Sequence, residues 1–167
     1  MSDDKKAGSD KKTELGVTVG SEAAGHKALR YEDIQVGDVV TPFTKWITFQ
    51  SAVKFGRTYK DVFSGHINAK VSEGQFGVAS MPVQGAVLEA GVTPMMVNWL
   101  RSAKPWLYGG RQESKFIQIA KPGDTLIYQG KVIEKKEEGG RRHVVVEFFA
   151  ENQKGEKVVV GTARAAF

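Results

Sequence analysis

The segment GAVLEAGVTPMMVNWLR, residues 85–101, is apolar on nearly all of its faces. A helix of this composition is normally buried on every side, because it has no polar face to offer to water. It is shorter than the roughly 20 apolar residues that a membrane span needs. Pro94 should kink it or fix one of its ends, since proline lacks a backbone N–H. The sequence therefore predicts one long buried helix that the rest of the chain must enclose.

Strand-like segments lie on both sides of this predicted helix. Turn sequences at Lys121–Asp124, Glu138–Gly140 and Asn152–Gly155 separate the last four of them and predict a meander. An antiparallel sheet wrapped around one long central helix is the economical way to bury that helix, so the predicted fold class is α+β. The five predicted strands are Val39–Ile47, Glu113–Ile119, Thr125–Lys135, His143–Asn152 and Val158–Phe167.

The N-terminal residues 1–28 are mostly small and polar. Such a segment buries too little apolar surface to offset the entropy of ordering. We therefore predict a disordered tail over residues 1–28 and a single domain over residues 29–167. The first residues lack the hydrophobic core of a signal peptide, and no apolar run reaches membrane-spanning length. The expected location is the cytoplasm.

The composition excludes several kinds of chemistry. The chain has no cysteine, which rules out disulfides, thiolate metal sites and a cysteine nucleophile. Its three histidines, His26, His66 and His143, are too scattered for a zinc cluster, and His143 is expected on the surface of a strand. The net charge of +5 indicates either a solvated surface or attraction to a polyanion. No nucleic-acid recognition pattern is present, so a phosphate-bearing small molecule such as coenzyme A is the favoured partner.

Asp61 and His66 are the candidate acid–base residues. They lie in TFQSAVKFGRTYKDVFSGH, residues 48–66, where Thr48 is suited to cap a short helix. The acid and the imidazole then fall near the end of that helix, where active groups often lie. On these residues alone an alternative is open, in which Asp61 terminates a helix and His66 is an ordinary loop histidine.

Gln84 and Gly85 open the predicted apolar helix. The first N–H groups of a helix have no partner within it and can bind a developing negative charge. A carboxylate, an imidazole and a backbone N–H are together what the addition of water to an activated double bond requires.

Several segments combine into a known pattern: YEDIQVGD (31–38), ITFQSAVKFGRTYKD (47–61), Asp61-x4-His66, Pro82-Val-Gln-Gly85 and Lys121-Pro-Gly-Asp-Thr125. In this combination the chain resembles the MaoC-like dehydratases, or (R)-specific enoyl-CoA hydratases, over residues 31–167. The resemblance implies a hotdog fold.

Three positions depart from that family's pattern. The Asn-Pro commonly found between the aspartate and the histidine is absent from residues 62–65. Gln84 stands where the family has a histidine before the helix glycine. Thr93 falls, by spacing, where the family has a serine that helps to position the Asp–His loop.

The resemblance implies syn addition of water to a trans-2-enoyl-CoA, or the reverse dehydration. Asp61 would take a proton from water and His66 would deliver one to C2. Gly85 would hold the thioester oxygen, with Gln84 and Thr93 as neighbouring substrate-site residues. The coenzyme A thioester is the substrate, and no metal or further cofactor is implied. Cations near the end of the helix and the next strand are candidates for binding the phosphates of coenzyme A, although a solvated surface is the simpler interpretation: Arg101, Lys104 and Arg111.

The resemblance also implies a homodimer or higher oligomer, with a heteromer as an alternative. No membrane partner is expected. Two other functions stay open on the sequence. One is a hotdog acyl-CoA thioesterase, and the other is a non-catalytic hotdog subunit of a heteromeric hydratase. The acyl chain, and the choice between coenzyme A and acyl carrier protein, are not determined by these residues.

Overall fold

The protein is described here by a computed structural model that covers residues 27–60, 64–66, 68–77 and 80–167. The predicted disordered tail therefore falls almost wholly outside the described residues. The strands are β1 (Val39–Trp46), β2 (Arg111–Phe116), β3 (Thr125–Glu138), β4 (Arg141–Glu151) and β5 (Lys157–Ala166). The α-helices are α1 (Phe49–Tyr59), α2 (Ala69–Phe76), α3 (Gly85–Glu89), α4 (Val92–Leu100) and α5 (Lys104–Leu107), with 3₁₀ turns at Tyr31–Asp33 and Ser64–His66.

The five strands form one antiparallel sheet in the order β1-β3-β4-β5-β2. The predicted α+β class is confirmed, but the predicted meander of the last four strands is wrong. Only β3, β4 and β5 follow one another in the sheet. β1 occupies one side of β3, with Phe43 opposite Tyr128, and β4 occupies the other. β2 therefore pairs with β5, where Arg111 lies opposite Arg164.

The core lies between one face of this sheet and the helices α3 and α4. Alternate residues of the central strands point to this face, as expected for a sheet with one buried side. The helices contribute Val87, Leu88, Val92, Met95, Met96, Trp99 and Leu100, and the strands contribute Leu126, Tyr128, Val132, Val144, Val146, Phe148, Ala150, Val159, Ala163 and Ala165. Among the described residues, no helix is long and apolar enough to cross a membrane.

The predicted long central helix is divided in two at Ala90 and Gly91. Pro94 lies in the first turn of α4, where proline is tolerated, because the N–H groups of that turn have no helical partner. A continuous helix would place proline in its interior and remove the hydrogen bond to Ala90. Pro94 thus marks the start of a second helix, one of the two outcomes that its position predicts.

The prediction that this segment is buried on every side is wrong. Ala86, Ala90, Thr93 and Asn98 are exposed in the single chain. All four are small or polar, and they fall on the side of the helices that does not meet the sheet. The apolar stripe toward the sheet is sufficient to hold both helices, so the opposite side is left at the surface.

His143 also differs from its prediction. It lies in β4 opposite Lys136 and Ala166, and its exposed fraction is only 6%. Long side chains on the outer face of the sheet cover it, and burial lowers the pKa of its imidazole, with Arg164 lowering it further. A histidine among charged residues is therefore buried here rather than solvated.

Candidate active site

The chain around the candidate acid–base pair is shaped by a helix that ends sharply. Thr48 caps α1, because its hydroxyl accepts a hydrogen bond from the N–H of Ser51 at 3.0 Å, as predicted. α1 ends at Tyr59, and the next residue, Lys60, has a left-handed φ of 53° and donates its N–H to the carbonyl of Gly56. Asp61, the predicted base, lies just beyond this point and outside the described residues, so its role stays a prediction.

His66 closes the 3₁₀ turn that follows, and its side chain is half-buried. Its Nδ1 lies 2.7 Å from the carbonyl oxygen of Pro82. A carbonyl can only accept a hydrogen bond, so Nδ1 carries the hydrogen. In the neutral ring Nε2 is then the basic nitrogen. This hydrogen bond both orients the ring and selects its tautomer.

His66 is hydrogen-bonded to the segment that leads directly into α3. Pro82 is three residues before Gly85, and the N–H of Val83 donates to the carbonyl of Ala120 at 2.8 Å. The connection between β2 and β3, which contains Ala120, therefore holds the segment to which His66 is bound. Two of the predicted site elements, the histidine and the helix glycine, are joined through this short stretch.

Gln84 anchors the start of α3 to α1. It is almost fully buried, and its Nε2 donates to the carbonyl of Ala52 at 3.3 Å. Its Oε1 has no hydrogen-bond partner among the residues that the structure describes. Gln84 stands where the family pattern has a histidine, and its buried side-chain amide links α3 to α1.

Gly85 is the first residue of α3, and its N–H is one of those that the helix itself cannot bind. A Cβ at this position would lie 2.9 Å from two ring atoms of Phe116. The start of α3 is therefore packed against the last residue of β2. The glycine is explained at least in part by this aromatic ring, independently of any substrate.

Thr93 lies in the first turns of α4 and is exposed. Its hydroxyl accepts a hydrogen bond from the indole N–H of Trp106 at 3.1 Å. The contact described for Thr93 is thus with α5. Its predicted role beside the Asp–His loop stays a prediction, because part of that loop is outside the described residues.

The three predicted phosphate-binding cations lie at the ends of elements other than α3. Arg101 follows the end of α4, Lys104 begins α5, and Arg111 begins β2. Phe116, which contacts the Gly85 position, ends the same strand. At about 3.4 Å per residue, Arg111 is about 17 Å from Phe116 along β2. Arg111 therefore lies at the opposite end of β2 from the residue that packs against the start of α3.

A cavity of about 540 Å³ lies at that distant end. Lys104 lines it together with Tyr31, Tyr108, Arg142 and Phe167. The lining includes neither His66 nor Gly85, so this cavity lies apart from these two candidate site residues. Within the described ranges, no group of three or more His, Asp or Glu side chains is gathered as metal ligands would be.

Sequence reasoning missed Lys45. Its half-buried side chain points to the core face of β1, and its Nζ donates to the carbonyl of Val87 in α3 at 2.6 Å. Burial lowers the pKa of this ammonium group. The sequence does indicate an inward-facing lysine. Phe43, Lys45 and Ile47 alternate along one predicted strand, so Lys45 lies between two apolar residues of the same face.

No protein-family model matches the chain, and no curated protein matches its sequence. Solved structures do match its fold. A monoamine oxidase regulatory protein from Archaeoglobus fulgidus matches with a TM-score of 0.73 and 20% identity, over 84% of this chain and 94% of that one. An (R)-hydratase from A. caviae involved in PHA biosynthesis matches with a TM-score of 0.67 and 16% identity, over 80% and 97%. A MaoC-like dehydratase from Rhodospirillum rubrum matches with a TM-score of 0.67 and 20% identity, over 81% and 93%.

These matches show that the chain has the hotdog fold of MaoC-like dehydratases and (R)-hydratases. The predicted fold is confirmed. The same fold occurs in components of two assemblies from Mycobacterium tuberculosis, the ChsH1–ChsH2 complex and the HadBC (3R)-hydroxyacyl-ACP dehydratase complex. At these identities the likeness concerns the fold, and activity has to be argued from the residues of the site.

Proposed function

We propose that the chain is a hydro-lyase that adds water to the double bond of a trans-2-enoyl-CoA to give an (R)-3-hydroxyacyl-CoA, or catalyses the reverse dehydration. The observation that carries the proposal is the hydrogen bond between His66 Nδ1 and Pro82, three residues before Gly85. Through this hydrogen bond, the segment that leads into α3 fixes the orientation of the His66 imidazole. The likeness in fold to (R)-hydratases supports the same activity.

One water molecule supplies both new bonds in this reaction. Asp61 accepts a proton from the water as its hydroxyl group adds to C3. The electrons of the double bond move toward the thioester carbonyl, and His66, in its imidazolium form with a hydrogen on each ring nitrogen, donates the proton of Nε2 to C2. The proton on Asp61 then passes to His66, which restores both groups. The hydrogen bond from Nδ1 to Pro82 supports this role, because it leaves Nε2 as the atom that exchanges the proton.

The thioester oxygen gains negative charge in the same step. We assign the N–H of Gly85 to stabilise it, since this donor is not used within α3. Loss of one such donor costs about 2.7–4 kcal/mol in a well-studied protease. The thioester itself activates the double bond, so the proposal requires no metal and no additional cofactor.

Incubation of the purified chain with crotonyl-CoA tests the proposal. We expect the absorbance of the enoyl thioester to fall without release of free thiol, because hydration leaves the thioester intact. Release of thiol would instead identify an acyl-CoA thioesterase. No reaction in the chain alone, but hydration after a sister subunit is added, would identify a non-catalytic subunit of a heteromer.

We also propose that two copies pair through β2. This strand pairs with β5 on one side and is the last strand of the sheet on the other. Unpaired strand edges attract further strands. Apolar side chains at the end of β2 and just beyond it are partly exposed, with fractions of 44% for Phe116, 48% for Ile117 and 40% for Ile119. Because Phe116 packs over Gly85, such pairing would put the proposed site beside the interface.

The dimer predicts a specific sensitivity to proline. The N–H of Ile117 donates to Val158 in β5, so by alternation the N–H of Ser114 faces the open edge. Ser114→Pro removes that donor without removing a bond to β5, and we expect a monomer by analytical ultracentrifugation. The control Ser114→Ala keeps the donor and should remain a dimer like the wild type. A monomeric wild-type protein would contradict the proposal.

A further inference from the structure

The break between α3 and α4 leaves backbone carbonyls without their usual helical donors. In a continuous helix, the carbonyl of Val87 would accept the N–H of Gly91. That N–H is instead directed to the carbonyl of Leu88 at 3.4 Å. The end of α3 therefore needs hydrogen-bond donors from elsewhere in the molecule.

Two side chains of the sheet donate hydrogen bonds to carbonyls at this end of α3. Lys45 Nζ donates to the carbonyl of Val87 at 2.6 Å, and the buried Tyr128 hydroxyl donates to the carbonyl of Leu88 at 2.6 Å. Lys45 lies opposite Leu126 in β3, two residues from Tyr128, so both side chains leave adjacent strands on the same face. A charged donor makes the stronger kind of hydrogen bond.

External contacts determine the position of α3, because the helix is short. α3 spans only Gly85–Glu89, and helices of this length are not stable by themselves. Gln84 holds its first end through Ala52, and Lys45 and Tyr128 hold its last turn. These contacts set where the N–H of Gly85 lies relative to the sheet and to His66.

We propose that Lys45 is a positioning residue for the reaction: it holds α3 so that the N–H of Gly85 meets the thioester oxygen. This inference rests on the proposed function. Lys45 does not touch the reacting atoms in this role and acts only through the helix. The partial burial of Lys45 fits this role. A half-buried ammonium group loses part of its hydration, which costs free energy. An apolar side chain would avoid that cost if the position only had to be filled.

Lys135 provides a matched control. It is also half-buried on the core face of the sheet, and its Nζ donates to the carbonyls of Tyr31 and Ile34, at 2.7 Å for Tyr31. It thus makes the same kind of lysine–carbonyl contact, but to the N-terminal 3₁₀ turn instead of α3. If the loss of any lysine–carbonyl hydrogen bond lowered activity, substitution of Lys45 and substitution of Lys135 would lower it alike.

The test compares Lys45→Met and Lys135→Met with the wild type. With crotonyl-CoA we expect Lys45→Met to lower kcat by about 10- to 100-fold, the cost of a small displacement of a reacting group, with little change in KM. Lys135→Met should keep the wild-type kcat. Hydrogen–deuterium exchange of residues 85–91 should accelerate in Lys45→Met only.

Each outcome decides a separate point. If the wild type hydrates crotonyl-CoA and Lys45→Met has an unchanged kcat, or if both lysine variants lose activity equally, the positioning role is wrong while the proposed function stands. If exchange over residues 85–91 is unchanged in Lys45→Met, Lys45 does not hold α3. A wild type without hydratase activity overturns the proposed function and the catalytic consequence of Lys45 with it, while the exchange experiment still decides whether Lys45 holds the helix.

Discussion

His66→Ala is expected to lower the kcat for hydration of crotonyl-CoA by about 10²- to 10⁴-fold, the usual contribution of a positioned acid–base group. The ring is oriented by Pro82 through Nδ1, so the variant removes the proton donor at Nε2 as well as its orientation. Asp61→Ala should cause a loss of the same order, because the two residues share one water in the proposed mechanism. Steady-state kinetics from the enoyl absorbance would measure both effects.

Two controls separate catalysis from folding in this experiment. His26→Ala changes the histidine of the N-terminal segment and should leave kcat unchanged. Thermal unfolding of His66→Ala should show the loss of the hydrogen bond to Pro82, which is about 1 kcal/mol. If a folded His66→Ala variant keeps the wild-type kcat, the assignment of this site is wrong.

Gly91→Ala is expected to lower the free energy of unfolding by about 3 kcal/mol, the upper end of the usual cost of overpacking a core. An added Cβ would lie 2.1 Å from Cζ and 2.4 Å from Cε2 of Tyr128. Tyr128 cannot yield easily, because it is fully buried and its hydroxyl is bound to Leu88. The φ of Gly91 is −73°, so the backbone itself would accept alanine and the effect is steric.

Gly74→Ala is the matched control for this substitution. Gly74 lies inside α2, and a Cβ there would meet no atom of the described residues within 4 Å. Alanine in a helix interior is favoured over glycine by about 0.5–1 kcal/mol, so this variant should gain stability. Urea denaturation of both variants would show opposite shifts of the midpoint. An unchanged midpoint for Gly91→Ala would contradict the packing described at Tyr128.

The parts of the fold that depend on neighbouring residues could be predicted from the sequence. Thr48 caps α1 through a residue three positions away, and the turns of the last three strands contain their own glycines. The division of the central helix could not be predicted, because it involves Tyr128, far along the chain, whose ring occupies the space beside Gly91. The place of β2 in the sheet was missed for the same reason, since it depends on which strand edges the others leave open.

The candidate site was predicted in part. His66 and Gly85 were recognisable from their spacing and from the resemblance, and the structure links them through Pro82. Lys45 was missed because its role depends on a carbonyl that the helix break exposes. The separation of Arg111 from the start of α3 could not be predicted either, because it depends on which end of β2 packs against Gly85.

The position of β2 also bears on how the sheet forms during synthesis. β2 precedes β3 and β4 along the chain, yet its partner in the sheet is β5, the last strand. A ribosome therefore releases β2 well before the strand that it pairs with exists. Until then its backbone groups and Phe116 have no place in the sheet, and contacts between such distant segments are slow to form. The start of α3, which packs against Phe116, is thus completed only when the C-terminal strand has joined the sheet.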